Sequence, residues 1–427
     1  MKRLLISLMV LSLVLSFAAI SSATNGDDLI SIGPISRSMG GVGIAAPQDA
    51  ISAVFANPAA MCFGPYCPGS EVNFAGTMFM PKVKTSINVG GMVTNSDSHQ
   101  KVYGIPAFGV SVPITNKFPL LRFGIAAYGV SGLGVDYRNT SVDNPTYYNF
   151  GPMGKFPLAS GTYTQLQIMK FAPSLAYQPN DKLSVGLAVH IDYANLDLQD
   201  GSSFDYGLGV EVGGLYKLSD AVSVGATYIT PQSVKHSNVA DFNGDGRLDT
   251  LRLESPQQLG VGVAFTPIPN MLLVEVDGKW INWSNATGYD NFDWKDQWVL
   301  AVGAQFNPVK KLALRVGYNY GNNPLRSHDG FVGATPSGPA MTTVQGKTMP
   351  TYYYETFRIV GFPAIVEQHI TLGFGYDVSN SFALHAGYMH AFQKTFSESG
   401  TNMAGQPVSL ASTLSEDSVE FGLTWRF

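Results

Sequence analysis

From about residue 70 onward, hydrophobic residues alternate with small or polar ones at a period of two, which puts successive side chains on opposite faces of an extended strand. Leu183, Val185, Leu187, Val189, Ile191 and Tyr193 share one parity, and Ser184, Gly186, Ala188, His190 and Asp192 share the other. The pattern returns over residues 312–320, 369–376 and 382–388. Fourteen such segments are centred near residues 75, 108, 125, 170, 187, 210, 225, 261, 276, 301, 316, 371, 386 and 421. The second face is built of Gly, Ala, Ser and scattered charges, whereas the wet face of a soluble sandwich is rich in Lys, Glu and Thr. A lumen lined by small residues and an outer face in lipid explain both, and a closed bacterial barrel requires an even strand number. Tyr193, Tyr320, Tyr376 and Tyr388 close apolar series as an interfacial girdle would.

The connections sort into two alternating classes. Short ones at residues 115–118, 178–181, 218–220, 267–270, 307–310 and 378–381 carry the Pro, Asn and Asp of tight turns. Long ones are expected at 82–101, 132–161, 194–203, 232–253, 282–294, 322–364 and 393–415. This arrangement puts both chain ends on the short-turn, periplasmic side. The last strand alternates Val419, Phe421, Leu423, Trp425 and Phe427 with Glu420, Gly422, Thr424 and Arg426. An alternating strand closed by an aromatic is similar to the signal read by the barrel-assembly machinery, and implies outer-membrane lipid and lipopolysaccharide as surroundings. The expected fold is all-β: a 14-stranded antiparallel transmembrane β-barrel over residues 70–427, in the bacterial outer membrane and monomeric.

Composition agrees with this reading. The chain has 427 residues, 46 of them glycine, and 13% are charged, against about 25% in soluble domains. Beyond the N-terminal stretch no run reaches the roughly 18 apolar residues of a spanning helix, so strands must do the crossing. The balance of 26 basic against 31 acidic residues leaves no basic patch for phosphates, so nucleic acid is not an expected partner. Lys2 and Arg3, an apolar stretch over 4–20 and Ser21-Ser22-Ala23 read as a signal peptide, residues 1–23. Cys62 and Cys67 flank a short loop; in an oxidising compartment that spacing suits a disulfide better than a free pair.

Residues 24–69 do not alternate. Small residues, helix-compatible stretches and Gly-Pro stops predict a small helical N-terminal domain, most economically placed as a plug inside the barrel. Gly40, Gly41 and Gly43 could be mistaken for a phosphate loop, but no strand precedes them and no Lys-Ser/Thr follows. The run Arg37-x-x-Gly40-Gly41-x-Gly43-Ile44-Ala45, then Asp49-Ala50, Ser52-Ala53-Val54-Phe55 and Asn57-Pro58-Ala59-Ala60, resembles the N-terminal hatch of the FadL/TodX family of outer-membrane transporters for long-chain fatty acids and other hydrophobic compounds. The motif spans about 25 residues, and the strand count and terminal aromatic extend the resemblance in architecture. It implies a barrel closed by a hatch that carries Asn57, Pro58 and Ala59. A hydrophobic ligand would be captured among the outer loops, pass to a pocket beside the hatch and leave sideways through a kink in the third strand. Glycines inside strands mark bulges or bends, which makes Gly129 and Gly132 the kink candidates, unless they merely line the lumen.

Parity turns Lys170, Glu211, Glu275, Asp277, Lys279, Arg315, Glu420 and Arg426 toward the lumen. Buried charges need partners, so these side chains are expected to pair and to anchor the hatch, while Lys170, Lys279 or Arg315 could hold a ligand carboxylate. No Gly-x-Ser-x-Gly or His-Glu-x-x-His occurs, and an enzyme is not expected. Asp241, Asn243, Asp245, Arg247 (through its carbonyl) and Asp249 match the ligand spacing of a calcium loop with glycine at position 6. Position 12 is Arg252, where a carboxylate is needed, so the segment is either a structural Ca²⁺ clamp or a turn-rich loop tip; no cofactor is required for transport. Two rivals to a transporter are a general porin, which needs no hatch, and a family-related barrel serving interaction or secretion.

Overall fold

The structure, a computed structural model, describes residues 24–63, 69–115, 118–143 and 160–427; the expected signal peptide lies outside them. Fourteen strands form the wall: β1 (Glu71–Val89), β2 (Tyr103–Thr115), β3 (Phe118–Asp136), β4 (Tyr163–Asn180), β5 (Leu183–Asp197), β6 (Ser202–Lys217), β7 (Val222–Ile229), β8 (Gln258–Ile268), β9 (Leu272–Ile281), β10 (Gln297–Val309), β11 (Leu312–Gly321), β12 (Gln368–Asp377), β13 (Phe382–Thr401) and β14 (Pro407–Arg426). Each pairs antiparallel with the next, and β1 pairs with both β2 and β14, so the sheet closes on itself. All fourteen expected segments are present. Their polarity is that of a membrane barrel: on β5, Val185, Leu187 and Val189 are exposed while Ser184, Ala188 and His190 are buried.

Three of the expected long loops are largely strand. β1, β13 and β14 have 19, 20 and 20 residues, about twice the 9–11 that cross a bilayer. The 82–101 segment continues β1 into a hairpin with Met92–Asp97, most of 393–415 is a β13–β14 hairpin paired from Lys394 opposite Leu414 to Thr401 opposite Pro407, and at 194–203 β5 and β6 pair as far as Asp197 and Ser202. The hydrophobic contrast fades there because both faces are wet or covered by loops, so the strand signal fades although the ladder does not. The true loops fold over the mouth. Gln232–Ala240 and Asp249–Ser255 form a hairpin, and Thr351–Thr356 runs into a wider turn over Phe357–Gly361. Arg358 in that turn is buried against Glu355 at 2.5 Å and Glu398 at 3.4 Å.

Inside the barrel lies the N-terminal segment. Helix α1 (Pro34–Arg37) starts on a proline, which suits a first turn. Helix α2 (Ala50–Ala56) is capped by Asp49, whose side chain accepts from the Ser52 N–H, and a 3₁₀ turn, Pro58–Cys62, follows. The wall makes room with glycine. A Cβ on Gly186 would collide with the Pro58–Ala59 backbone, and one on Gly317 with Met39 and Gly40. The small residues of the inward face are therefore the seat of the plug.

Candidate functional site

The plug is tied to the wall at successive points from Arg37 to Ala59. Arg37 reaches Glu420 at 3.3 Å. Gly40, in the left-handed region at φ +72°, donates its N–H to Thr371 at 2.9 Å and accepts from Asn319 at 3.0 Å. A side chain at Gly40 would also run into the Tyr318 backbone. The N–H groups of Gly43 and Ile44 donate to Asp277 at 2.9 and 3.1 Å, and those of Ala45 and Ala46 to Glu275 at 2.6 and 3.0 Å. Adjacent N–H groups of this kind form an anion nest, and its anions here are the carboxylates of β9. Asn57 donates to Ile44 and Gly214 carbonyls at 2.7 and 3.1 Å and accepts from the Ala59 N–H, and Ser184 donates to the Ala59 carbonyl at 2.6 Å.

Between the plug and the outer loops lies a cavity of about 60 Å³, lined among others by Leu29, Phe55, Tyr128, Val130, Lys170 and Lys279. Two of the three cations expected to face a ligand carboxylate thus meet in one place. Lys170 pairs with Asp192 at 3.0 Å and donates to Gln232 at 2.5 Å; His190 beside it contacts Glu211 at 3.1 Å. Lys279 has no carboxylate within 4 Å among the described residues, and its ammonium lies 5.8 Å from the centre of the Phe55 ring. Phe55 and Tyr128 meet edge to face at 5.4 Å. Arg315 is elsewhere, donating to Gln305 at 2.7 Å nearer the short turns. Gln232, Asp28 and Tyr128 escape sequence reasoning: nothing local announces that a loop glutamine or a plug aspartate ends beside a lysine of β4.

Asp28 enters the cavity from the plug and accepts from Gln258 at 2.8 Å. Burial pushes its carboxyl up to about 6, against the pull of Lys170. Burial also pushes the neighbouring Asp27, bonded to Tyr289, up to about 8.

The wall of this cavity is interrupted. The β2–β3 ladder stops at Ala107 and Tyr128, and above that level β2 pairs only with β1 among the described residues. β3 carries a bulge between Gly129 and Ser131, where the β4 ladder skips Val130. The freed backbone turns to the plug: the Val130 carbonyl accepts from the Leu29 N–H at 2.9 Å, and Asp28 bridges Ser131. Gly129 sits at the break, where a Cβ would meet the Ile105 side chain at 2.7 Å; Gly132 faces open space and pairs regularly with Gln167.

Two other groups named from sequence lie apart. Asp241 accepts from the N–H groups of Gly244, Asp245 and Gly246, Asn243 from that of Asp245, and Asp245 from that of Arg247; Asp249 pairs with Lys347 at 2.6 Å. No group of three or more His, Cys, Asp or Glu side chains is gathered for a metal among the described residues. Cys62 is buried with its Sγ 3.3 Å from the Leu120 carbonyl oxygen, while Cys67, and with it the disulfide expectation, lies outside the described residues.

A closed barrel of fourteen strands, filled by an N-terminal helical plug tied through buried charges, defines the fold class of a plugged outer-membrane β-barrel. Residues 12–204 match the family described as outer membrane protein transport protein (OMPP1/FadL/TodX), and residues 166–329 match a general outer-membrane β-barrel domain. Residues 12–204 are thus similar in sequence to the FadL/TodX family of outer-membrane transport proteins. Among solved structures, the toluene transporter TodX of Pseudomonas putida is 17% identical with a TM-score of 0.66, covering 94% of this chain and 99% of its own. A FadL homologue of Pseudomonas aeruginosa is 15% identical at 0.69, with coverages of 94% and 99%. The monoaromatic hydrocarbon channel CymD is 16% identical at 0.58, with coverages of 93% and 98%. At these identities the likeness is one of fold. No curated protein matches the sequence.

Proposed function

We propose that this chain carries long-chain fatty acids, or similar monoanionic amphiphiles, passively across the outer membrane. The ligand enters from the loop side, rests between Lys170 and Lys279, and leaves through the break between β2 and β3 into the bilayer, with both chain ends periplasmic. The observation that carries this reading is Lys279, which shares a cavity with Lys170, Phe55 and Tyr128 and has no ion pair within 4 Å among the described residues, while Asp277, Asp28, Glu211 and Glu275 act on it from farther away. A buried ammonium calls for an anion. An alkyl tail gains about 0.8 kcal/mol per buried CH₂, and a lateral exit delivers it to hydrocarbon without crossing water, so no energy source is required. A barrel of this kind works as a monomer among lipid and lipopolysaccharide, and the alternation from Val419 to Phe427 suits the assembly machinery. Calcium binding at 241–249 would require Asp249 to exchange Lys347 for the ion.

The second reading is aromatic hydrocarbon transport, favoured by the Phe55–Tyr128 pair and by the names of TodX and CymD. Uptake of labelled oleate and toluene by cells lacking their own transporter separates the two. Oleate uptake is expected, and Lys279→Gln should reduce it about tenfold, the worth of one charge-assisted hydrogen bond. Toluene uptake without oleate uptake would establish the hydrocarbon reading, and uptake of neither would leave an interaction protein.

A further inference from the structure

Over the mouth, Arg326, His328, Glu355 and Arg358 of the loop between β11 and β12 meet Asp293 of the β9–β10 loop and Glu398 of β13. The transport reading makes no use of this cluster. Glu355, Arg358 and Glu398 are buried, Asp293 pairs with Arg326 at 3.1 Å, and Asp329 turns away to Ser399 at 2.6 Å. Three carboxylates therefore face two guanidinium groups, and the third positive charge falls to His328.

The imidazole ring shows the same need. Its Nδ1 lies 2.8 Å from Glu355 and its Nε2 2.9 Å from Asp293. A neutral imidazole has one N–H and one lone pair, so it serves one acid and sets a lone pair against the other. Arg358 Nη1, 2.9 Å from Nδ1, donates to that lone pair only in the tautomer that leaves Glu355 unserved. The imidazolium serves both. Its bonds to Glu355, and then to Asp293, hold the ring above its ordinary value, with burial and Arg358 working against them. The same residue fixes the backbone: the His328 N–H donates to Glu398 at 2.9 Å, and the Arg326 N–H to the Asp293 carbonyl at 3.3 Å. Tyr353 and Phe357, from the segment that carries Glu355 and Arg358, line an outer cavity of about 760 Å³.

We propose that His328 is a proton-held tie, which fastens the β11–β12 loop across the mouth when charged and slackens it, with the Tyr353–Phe357 wall of the outer cavity, when neutral. A proton bound more tightly in the fastened state stabilises that state below the ordinary imidazole value of about 6.5, and the stabilisation is lost as pH rises through the raised one. The mouth is then tighter in mild acid than in mild alkali. This holds whichever compound the barrel carries.

The test is hydrogen exchange on the purified full-length barrel at about pH 6 and about pH 9, a window that brackets the imidazole, read as protection factors so that the intrinsic pH dependence of exchange drops out. Protection at the Arg326 and His328 amides should fall about tenfold in the wild type, the effect of a one-unit difference in proton affinity between fastened and slack states. The Met92–Asp97 hairpin, which has no part in the cluster, should not change. Asp293→Asn offers the neutral ring a donor in place of an acceptor and should keep the amides protected at both pH values. His328→Phe keeps the ring beside Tyr354, 6.2 Å away, without its donors, and should leave them weakly protected at both. A wild type without the fall, an equal fall in the hairpin, an Asp293→Asn variant that falls like wild type, or a His328→Phe variant as protected as wild type in acid overturns the proposal. The heat-modifiable gel shift shows which variants fold, and the wild-type comparison decides even if none does.

Discussion

Arg37 is 1% exposed and Glu420 0% exposed, with 3.3 Å between them. The guanidinium also donates to the Ser31 carbonyl at 3.1 Å, so the pair joins plug to wall at a place where neither charge reaches solvent. Losing one partner of a buried pair is far more harmful than replacing both, because the survivor keeps its desolvation cost. Arg37→Ala should cost about 3–5 kcal/mol, while the double change Arg37→Met with Glu420→Leu recovers most of it. Thermal loss of the heat-modifiable gel shift measures both. Inward parity for all eight lumen charges can be read from the alternation, because the pleat fixes which face a side chain takes whatever else the chain does. Their partners cannot be read that way. Glu275 and Asp277 accept from backbone N–H groups of the plug, a contact that leaves no trace in side-chain identity.

At the scale of the element, the proposed route depends on β3. Val130 is an extra residue: Gly129 and Ser131 face Met169 and Ile168, which are neighbours on β4. Bulges bend a strand and leave a residue unpaired, and here the unpaired carbonyl is taken by Leu29. Deleting Val130 should restore an even ladder and let β2 and β3 close. Oleate uptake should then fall about tenfold, a loss of one decade, while binding to the purified barrel stays near wild type; undiminished uptake would place the exit elsewhere. The two glycines chosen from sequence bracket the bulge, yet the unpaired residue is Val130, because an unpaired position is a property of two strands and their register. The same limit hid the long extensions of β1, β13 and β14, where hydrogen bonding persists after the hydrophobic contrast has gone.

For the whole molecule, closure and plugging are separate properties. The β1–β14 ladder runs from Glu71 opposite Arg426 to Val89 opposite Val408, so the wall does not depend on the plug for its last seam. Deleting residues 24–60 should therefore leave a folded barrel that conducts as an open pore in planar bilayers. Unchanged conductance would mean that the segment does not seal the lumen.

The sequence by itself determined the number of strands, their inward and outward faces, the sorting of turns from loops, the N-terminal plug and the motif by which it resembles a known family. These follow from a period of two and from local turn and cap chemistry, which act over a few residues. Only the tertiary structure decided that Lys170 and Lys279 share a cavity and Arg315 does not, that Gln232 and Asp28 complete it, and that the β3–β4 ladder skips Val130. Parity says which face a residue takes but not its height in the barrel. Height is set by the registers of successive strand pairs added around the ring, so lysines on strands far apart in the chain come level, while an arginine of equal parity sits nearer the short turns.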